Sequence, residues 1–553
     1  KRNFCFLLLL LLSLSSFSQD TRLSAQQITS LTTLGELWGF FKYYHPHVAK
    51  GKWNWDSVLI AKLPEYLNAK NKQSLSTLTN NWIQELGNID SCKRCYQQVP
   101  DSLGYNLDFS WINEKCFTKD VVMKLNFIRA NRNIGSHHYV EYQASYKSLL
   151  NFKNEKVYND TKFVYPPAEY RIVTLFRHWN WVHYFFPYKH LIGKDWKKVL
   201  QEMVPAFYEA KDTLSYHKAL LKLTASLEDG HSRLLGLSSF YVLGEYYPVP
   251  FLCMLIDDQF VVSSLSNDSA ASAIRIKKGD VLIEVNGESV YDRYKRLAPY
   301  VQASNEGSKA MFFAASYLFR GSDSVFTIKK IRGKQVIIDT IQFSKKVIPF
   351  SRSQRSWKLL ADSIGYVDMG ILQKTEVDKM MKELMATKGI IFDLRNYPHG
   401  TWNLIAAYLC KQPFVMSRIS YPDLDYPGVF LFENPAKYGN TNDNPYTGKV
   451  VLLVDESAVS HAEYSAMGLQ AATQTITIGN TTAGMDGNIT NRLWLPGGLF
   501  TQFSGTGVYY PDGTVTQRKG VRIDYYVRPT IKGLQAGRDE VLEAAVSYIT
   551  TNK

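Results

Sequence analysis

One serine occupies a position better suited to a catalytic role than any other residue in this sequence. Residues 450–454 form an apolar run typical of a buried strand, a short polar loop follows, and a helix is predicted to begin at Ser460. A hydroxyl there lies near the partial positive charge of a helix N-terminus, and an adjacent backbone N–H can face a developing oxyanion. These features suit the nucleophile of an acyl transfer.

The same segment also has a purely structural interpretation. Ser460 and Glu463 have the spacing of a capping box, in which each side chain bonds the backbone N–H of the other residue. Taken locally, the pattern favours a helix cap over a nucleophile. The chain has neither a GxSxG elbow nor a GxxxxGK[ST] loop, which argues against an α/β-hydrolase and a P-loop NTPase.

The elements around Ser460 predict an α/β region. From Gly365 onward, apolar strand-like runs such as 390–392 and 450–454 alternate with helical patterns. Upstream, from about Tyr241, short β-rich runs predominate, and one of them, 281–285, is followed by an Asn-Gly turn. A polar, basic stretch between these regions predicts a linker at 344–356.

The N-terminal part predicts a duplicated helical unit. Apolar residues recur there at helical spacing, and a set of Trp, Leu and Pro residues returns 141 positions later without a gap. We interpret these apolar residues at helical spacing as core-packing residues. The matched residues are Leu34, Trp38, Pro46, Trp55, Leu59 and Pro64 with Leu175, Trp179, Pro187, Trp196, Leu200 and Pro205.

Length and charge limit the classes of protein. The 553 residues predict two to four domains, and a net charge of +14 without a long basic run predicts no specific nucleic-acid binding. A basic start followed by apolar residues 4–17 predicts a signal peptide over residues 1–18, with an uncleaved anchor as the alternative. We therefore expect an exported, periplasmic or secreted protein without stable membrane insertion.

The cysteines fit such a compartment. Cys92 and Cys95 form a CxxC, with Cys116 about twenty residues on, and a local disulfide is the favoured interpretation. A zinc knuckle would need a fourth ligand, and the context of a redox CxxC is missing. Cys253 and Cys410 lie in apolar stretches and are predicted to be buried packing residues.

Several motifs together resemble peptidase family S41, the C-terminal processing and tricorn-core peptidases. Residues 279–287 resemble the hallmark strand and turn of PDZ domains, and the whole resemblance covers roughly residues 170 to 545. It implies a serine-type peptidase acting on peptides or polypeptides. The other motifs are 393–400 (DLRxNxGG), Ser460 with Glu463 (nucleophile and helix start), 479–484 (GxxTxG) and 520–524 (GVxPD, with Ile523 for proline).

Departures from the family pattern decide which base is implied. Processing peptidases carry a lysine general base where this chain has Met485, and a thioether cannot accept a proton. The tricorn-like branch instead uses a histidine before the PDZ-like unit, and residues 227–232 (LEDGHS) place His231 there. That branch orients its histidine with a glutamate, whose position is Gln517 here; an amide could orient the ring but not stabilise its charge.

The resemblance also implies an oxyanion hole. One backbone donor follows the nucleophile and is His461, and the other is Gly400 of the DLRxNxGG loop. His399 replaces the first glycine of that loop and would be strained at a positive φ. His461 ranks well below His231 as a base because adjacent helical residues do not face each other. No metal or other cofactor is expected.

The predicted architecture is multidomain, α+β and α/β. The favoured function is an exported serine endopeptidase with Ser460 as nucleophile, His231 as base and Gln517 as its orienting group. The alternatives are an inactive relative that binds peptides or apolar ligands, and a scaffold that uses the helical repeats. The predicted regions are a signal peptide (1–18), a helical region (19–165), a second repeat copy with the DGHS motif (166–238), a PDZ-like domain (239–345) and a ClpP/crotonase-like peptidase core (356–553).

Overall fold

The computed structural model describes residues 22–144, 149–158, 161–236, 238–265, 267–345 and 355–551. The predicted signal peptide lies outside the described residues, as does most of the predicted linker. Within the described ranges, no helix combines the length and the apolar character needed to cross a bilayer.

The first region is built from helices that share one large aromatic core. Its tryptophans Trp38, Trp82, Trp179 and Trp181 are almost fully buried. The elements are α1 (Ala25–Tyr44), α2 (Pro46–Ala49), α3 (Trp55–Leu67), α4 (Lys72–Leu86), α5 (Asp101–Gly104), α6 (Lys119–Ala130), β1 (Val140–Tyr142), β2 (Leu150–Phe152), α7 (Ala168–Phe185), α8 (Trp196–Tyr208), α9 (Thr213–Ala225) and β3 (Leu234–Leu235), with 3₁₀ turns at Thr161–Val164 and Lys189–Leu191.

The two predicted repeat copies form the same helix pair. In the first copy, the indole N–H of Trp38 donates to the carbonyl of Trp55 at 3.0 Å, and that of Trp55 donates back to Trp38 at 2.9 Å. In the second copy, Trp179 and Trp196 make the same reciprocal bonds at 2.8 and 3.1 Å. Each indole thus fixes the crossing of its helix pair while keeping its own N–H satisfied.

The copies pack against each other through equivalent positions on α1 and α7. A Cβ on Gly39 would lie 1.7 Å from the amide oxygen of Asn180, its counterpart in the second copy, so glycine permits the close approach. Two ion pairs flank this contact: Glu36 with Lys197 at 2.9 Å, and Arg177 with Asp56 at 2.6 Å. They occupy equivalent places with the charges exchanged.

We expect the Arg177–Asp56 pair to be the more costly one to break, because both side chains are almost fully buried. Asp56→Asn should lower the free energy of unfolding by about 3 kcal/mol, since it removes a charge that compensates a buried guanidinium. Asp120→Asn, which breaks the exposed pair with Lys124, should cost less than about 0.5 kcal/mol. Urea unfolding of both variants measures the difference, and equal costs would contradict this assignment.

The middle region contains an antiparallel sheet of strand order β11-β10-β7-β6-β5, with β8 paired to β7. The predicted Asn286-Gly287 turn joins β7 to β8, and both residues have positive φ (52° and 76°). The elements are α10 (Ser238–Leu243), β4 (Glu245–Tyr246), β5 (Phe251–Ile256), β6 (Gln259–Leu265), α11 (Asp268–Ala273), β7 (Val281–Val285), β8 (Glu288–Ser289), α12 (Val290–Leu297), α13 (Glu306–Ser316), β9 (Arg320–Gly321), β10 (Val325–Arg332) and β11 (Gln335–Gln342), with a 3₁₀ turn at Ala298–Tyr300.

The C-terminal region is a six-stranded sheet of order β12-β13-β14-β19-β20-β24, parallel except for β12. Apolar clusters cover both faces, as a parallel sheet requires. The elements are β12 (Trp357–Leu360), β13 (Ile364–Asp368), α14 (Val377–Leu384), β14 (Gly389–Asp393), α15 (Trp402–Leu409), β15 (Phe414–Val415), β16 (Arg418–Pro422), β17 (Phe430–Phe432), β18 (Lys437–Tyr438), β19 (Lys449–Val454), α16 (His461–Ala472), β20 (Thr475–Gly479), β21 (Leu493–Leu495), β22 (Leu499–Thr501), β23 (Gly507–Tyr509), β24 (Tyr525–Tyr526), α17 (Ile531–Gln535) and α18 (Glu540–Thr551), with 3₁₀ turns at Ala361–Ser363 and Lys374–Glu376.

The cysteine predictions are confirmed. Cys92 and Cys95 form a disulfide, while Cys116, Cys253 and Cys410 are free thiols. Cys253 and Cys410 are buried, and burial raises the pKa of the Cys253 thiol. Cys253 and Cys410 therefore act as small apolar residues in the core.

Candidate active site

Ser460 stands between strand β19 and helix α16 in an unusual backbone conformation. Its φ is 49° and its ψ is −108°, a left-handed region that a residue with a Cβ enters only under strain. The residue is half-buried. A strained, partly exposed serine at a helix N-terminus is typical of a functional position, because the surrounding structure must hold the conformation in place.

Three neighbouring parallel strands bring their following loops to this edge of the sheet. Strands β14, β19 and β20 are adjacent, so the loops after them lie side by side. Gly400, in the loop after β14, has φ +69°, and a Cβ there would lie 3.4 Å from the ring Nε2 of His461. His399 is exposed and keeps a negative φ, so the strain considered for it falls on the glycine.

Two backbone donors at this edge remain available. Within the described ranges, neither the N–H of Gly400 nor that of His461 has a protein acceptor. Unsatisfied N–H groups at the first turn of a helix can bind a developing negative charge. Burial lowers the pKa of the His461 ring, and Lys374 lowers it further.

Glu463 holds the Ser460 turn to the loop after β20. Its carboxylate accepts the N–H of Ser460 at 3.2 Å and that of Met485 at 2.9 Å on one oxygen. The other oxygen accepts the N–H of Gly484 at 2.7 Å and the hydroxyl of Thr482 at 2.6 Å. Burial raises the pKa of Glu463 to about 7, although these hydrogen bonds lower it.

Met485 bridges the serine segment and the histidine segment. It is buried at the lysine position of the processing peptidases, and its backbone is tied to Glu463. A Cβ on Gly230, the residue before His231, would lie 2.5 Å from the sulfur of Met485. The thioether of Met485 thus packs tightly against the turn that carries His231.

His231 reaches the site from the first region. Strand β3 pairs with β22, and this pairing brings the turn before β3 beside Ser504. The His231 ring is buried, and its Nδ1 lies 3.0 Å from the hydroxyl oxygen of Ser504. Burial lowers the pKa of His231, whereas the nearby carboxylate of Asp229 raises it.

Gln517 was predicted to orient the imidazole ring, but among the described residues no hydrogen bond joins the two side chains. Its amide nitrogen lies 3.4 Å from Asp229 Oδ1 and 3.4 Å from the hydroxyl of Ser304. The direct neighbour of the His231 ring is Ser504, which sequence analysis missed. No pattern marks Ser504, because it lies 273 residues from His231 in an irregular segment.

The structure brings the two halves of the predicted site together without closing them. Ser460, His461 and Gly400 share one edge of the sheet, and Met485 connects that edge to the His231 segment. Across the described residues, no hydrogen bond joins the Ser460 hydroxyl to the His231 ring. Catalytic hydrogen bonds are often long before substrate binds.

The DLRxN residues brace this edge of the sheet through ion pairs and a hydrogen bond. Arg395 pairs with Asp393 at 2.7 Å and with Asp539, next to α18, at 2.8 Å. Asn396 donates to Asp368 at 2.9 Å. Among the residues described, no group of three or more His, Cys, Asp or Glu has an arrangement that could hold a metal ion.

Comparisons with known proteins gave one family match and several structures of similar fold. Residues 363–527 match peptidase family S41. The structure of mature CPAF complexed with lactacystin covers 70% of this chain and 99% of its own, with 13% identity and a TM-score of 0.54. The photosystem II D1 C-terminal processing protease covers 67% and 97%, with 16% identity and a TM-score of 0.39. No curated protein matches the sequence. At such identities the likeness to CPAF concerns the fold.

Proposed function

This chain is a serine-type peptidase of family S41, and we propose that it is an endopeptidase that uses a Ser460–His231 pair. The strained backbone of Ser460 at the start of α16 is the observation that carries the proposal. Family membership implies peptide substrates. Met485 excludes a serine–lysine pair at the positions used by the processing peptidases, so we assign the role of base to the imidazole of His231.

The proposed chemistry is an acyl transfer. The Ser460 oxygen bonds to the peptide carbonyl carbon while His231 Nε2 takes the hydroxyl proton. The N–H groups of His461 and Gly400 stabilise the oxyanion, and His231 then gives the proton to the leaving amine. Water hydrolyses the acyl-enzyme by the same route. Because the pair is not hydrogen-bonded in this structure, the mechanism requires a closing movement between the two segments.

The remaining parts of the proposal concern the other domains and the compartment. We take residues 239–345 as a PDZ-like module that docks peptide by strand addition, and residues 356–553 as a ClpP/crotonase-like core. Export to an oxidising compartment is supported by the Cys92–Cys95 disulfide and by the basic, apolar N-terminal sequence.

Digestion of a complex peptide mixture by protein lacking residues 1–18, read by mass spectrometry, tests the function. We expect cleavage by the wild type and at least about a thousandfold loss in both Ser460→Ala and His231→Ala. Ser457→Ala is the matched control, because Ser457 lies in the same loop and its hydroxyl donates to Asp455.

Each other outcome has a defined meaning. Loss in Ser460→Ala alone would keep the nucleophile and refute His231 as the base. Cleavage that survives Ser460→Ala would refute the proposed site. No cleavage by the wild type at several pH values would favour a relative that binds peptides or apolar ligands, for which the open Ser460–His231 pair and Met485 would be the structural reason.

A further inference from the structure

The imidazole of His231 is connected to a buried carboxylate that belongs to its own turn. Ser504 contacts the ring Nδ1 at 3.0 Å, and its hydroxyl lies 3.0 Å from Asp229 Oδ1. When Nδ1 carries its proton, it donates to the Ser504 oxygen, and the Ser504 hydroxyl donates to Asp229. We propose that Asp229, acting through Ser504, is the acid that positions the His231 ring and stabilises its protonated form. It would replace the glutamate that tricorn-like peptidases have at the position of Gln517.

The fixed geometry of Asp229 supports this role. The residue is 1% exposed, and its second oxygen accepts the backbone N–H of Ser504 at 2.8 Å. Its first oxygen also accepts the backbone N–H of His231 at 3.1 Å. We call the chain of contacts from His231 through Ser504 to Asp229 the relay. The Asp229 carboxylate is bonded to the backbone of both His231 and Ser504 and to the hydroxyl of Ser504, so its orientation is fixed.

The contact between Asp229 and Gln517 explains why an amide occupies position 517. The Gln517 nitrogen lies 3.4 Å from Asp229 Oδ1, so it donates to the carboxylate. A glutamate there would place a second negative charge beside the first in a buried site, and two such carboxylates resist ionising together. In this chain Asp229 therefore supplies the acid, and Gln517 beside it is a neutral donor.

Asp229 and Ser504 stabilise the positive charge on the His231 ring, and neither gains nor loses a proton during the reaction. As the Ser460 oxygen bonds to the acyl carbon, His231 Nε2 receives the hydroxyl proton and the ring becomes positive. Nδ1–H remains bonded to Ser504, whose hydroxyl remains bonded to Asp229. Asp229 and Ser504 are positioning residues, because they act on substrate only through His231. The inference rests on the proposed function.

The test measures covalent labelling of Ser460 by a fluorophosphonate probe as a function of pH. Asp229→Asn should lower the labelling rate at pH 8 by about 100-fold. It should also move the acid limb to lower pH by about one unit, since losing the carboxylate lowers the pKa of His231. Ser504→Ala should lower the rate about tenfold, and Ser504→Thr should restore it. Asp90→Asn, at an exposed loop residue, should leave rate and limb unchanged.

Substitutions at position 517 separate this inference from a purely structural role. Gln517→Glu alone should give no gain in rate, because it opposes Asp229. Combined with Asp229→Asn, it should recover at least about tenfold, since the new carboxylate can accept from the introduced amide. A tenfold gain from Gln517→Glu alone would overturn the inference, because it would show that the native relay lacks an acid.

The remaining outcomes distinguish failure of the relay from failure of the function. Labelling that depends on Ser460 but is unchanged in Asp229→Asn and Ser504→Ala would overturn the relay and leave the peptidase proposal intact. A lower rate with an unmoved acid limb and no recovery in the double variant would also overturn it. A wild type that the probe does not label overturns both. Thermal unfolding of every variant identifies any that fail to fold.

Discussion

Acidification from pH 7 to pH 5 is expected to destabilise the helical region by several kcal/mol. Five buried histidines there and the more exposed His190 have pKa values lowered by burial: the pKa of His183 falls well below its usual range, and those of the others fall to about 3 or 4. The others are His45, His137, His178, His190 and His217. Within the described ranges, neither ring nitrogen of His178 has a hydrogen-bond partner.

The sign follows from proton uptake. Because the folded pKa lies below 6.5, the unfolded chain takes up these protons first as pH falls, so stability is full above about pH 6.5 and declines toward pH 4. Between its unfolded and folded pKa values, each ring lowers the free energy of unfolding by about 1.4 kcal/mol for every unit by which the pH falls. Burial raises the pKa of Glu36 to about 7, so this carboxyl acts in the opposite direction and offsets one or two rings.

Urea unfolding followed by tryptophan fluorescence measures this decline, because eight of the 11 tryptophans lie in the helical region. His178→Leu removes one titrating ring from an apolar site and should reduce the pH slope by about one proton. His399→Leu, at an exposed position, should leave the slope unchanged. Stability that stays flat between pH 7 and pH 5 would contradict the prediction.

Local patterns predicted most of the elements. The apolar runs at 281–285, 390–392 and 450–454 are strands, and the 141-residue repeat is a duplicated helix pair. Apolar runs and repeated tryptophans determine local structure and packing, which is why they can be recognised without a structure. The exchanged ion pairs between the copies follow the same offset, but their meaning depends on knowing that α1 and α7 pack together.

The site could be predicted only as far as its parts lie in short motifs. Ser460 and Gly400 lie in loops after adjacent parallel strands, and His461 is the first residue of α16, so short motifs mark all three. The partner of His231 could not be found in this way, because the β3–β22 pairing that delivers Ser504 joins distant segments. Gln517 was predicted to orient His231, whereas its amide nitrogen lies within hydrogen-bond distance of Asp229.

Substituting Glu463 is expected to reduce both stability and Ser460 reactivity strongly. Four donors converge on this one buried carboxylate, and they join the nucleophile turn to the loop after β20. Glu463→Gln replaces one acceptor oxygen with an NH₂ group that faces donors. At least one buried N–H then loses its acceptor, at a cost of about 1–3 kcal/mol.

The reactivity should fall more than the stability suggests. Without its acceptor, the N–H of Ser460 no longer holds the φ of 49°, and the strained backbone can relax away from the direction that exposes the hydroxyl. We expect fluorophosphonate labelling of Glu463→Gln to fall about 100-fold at pH 8, where the wild-type carboxyl, with a pKa of about 7, is mostly ionised.

The pH dependence separates this effect from general damage to the fold. Below pH 7 the wild-type carboxyl becomes protonated and resembles the amide, so the labelling rates of wild type and Glu463→Gln should converge as the pH falls. Glu543→Gln, in the exposed first turn of α18, should keep wild-type rates. A constant ratio of the two rates from pH 5 to pH 8 would mean that ionised Glu463 does not set the Ser460 turn.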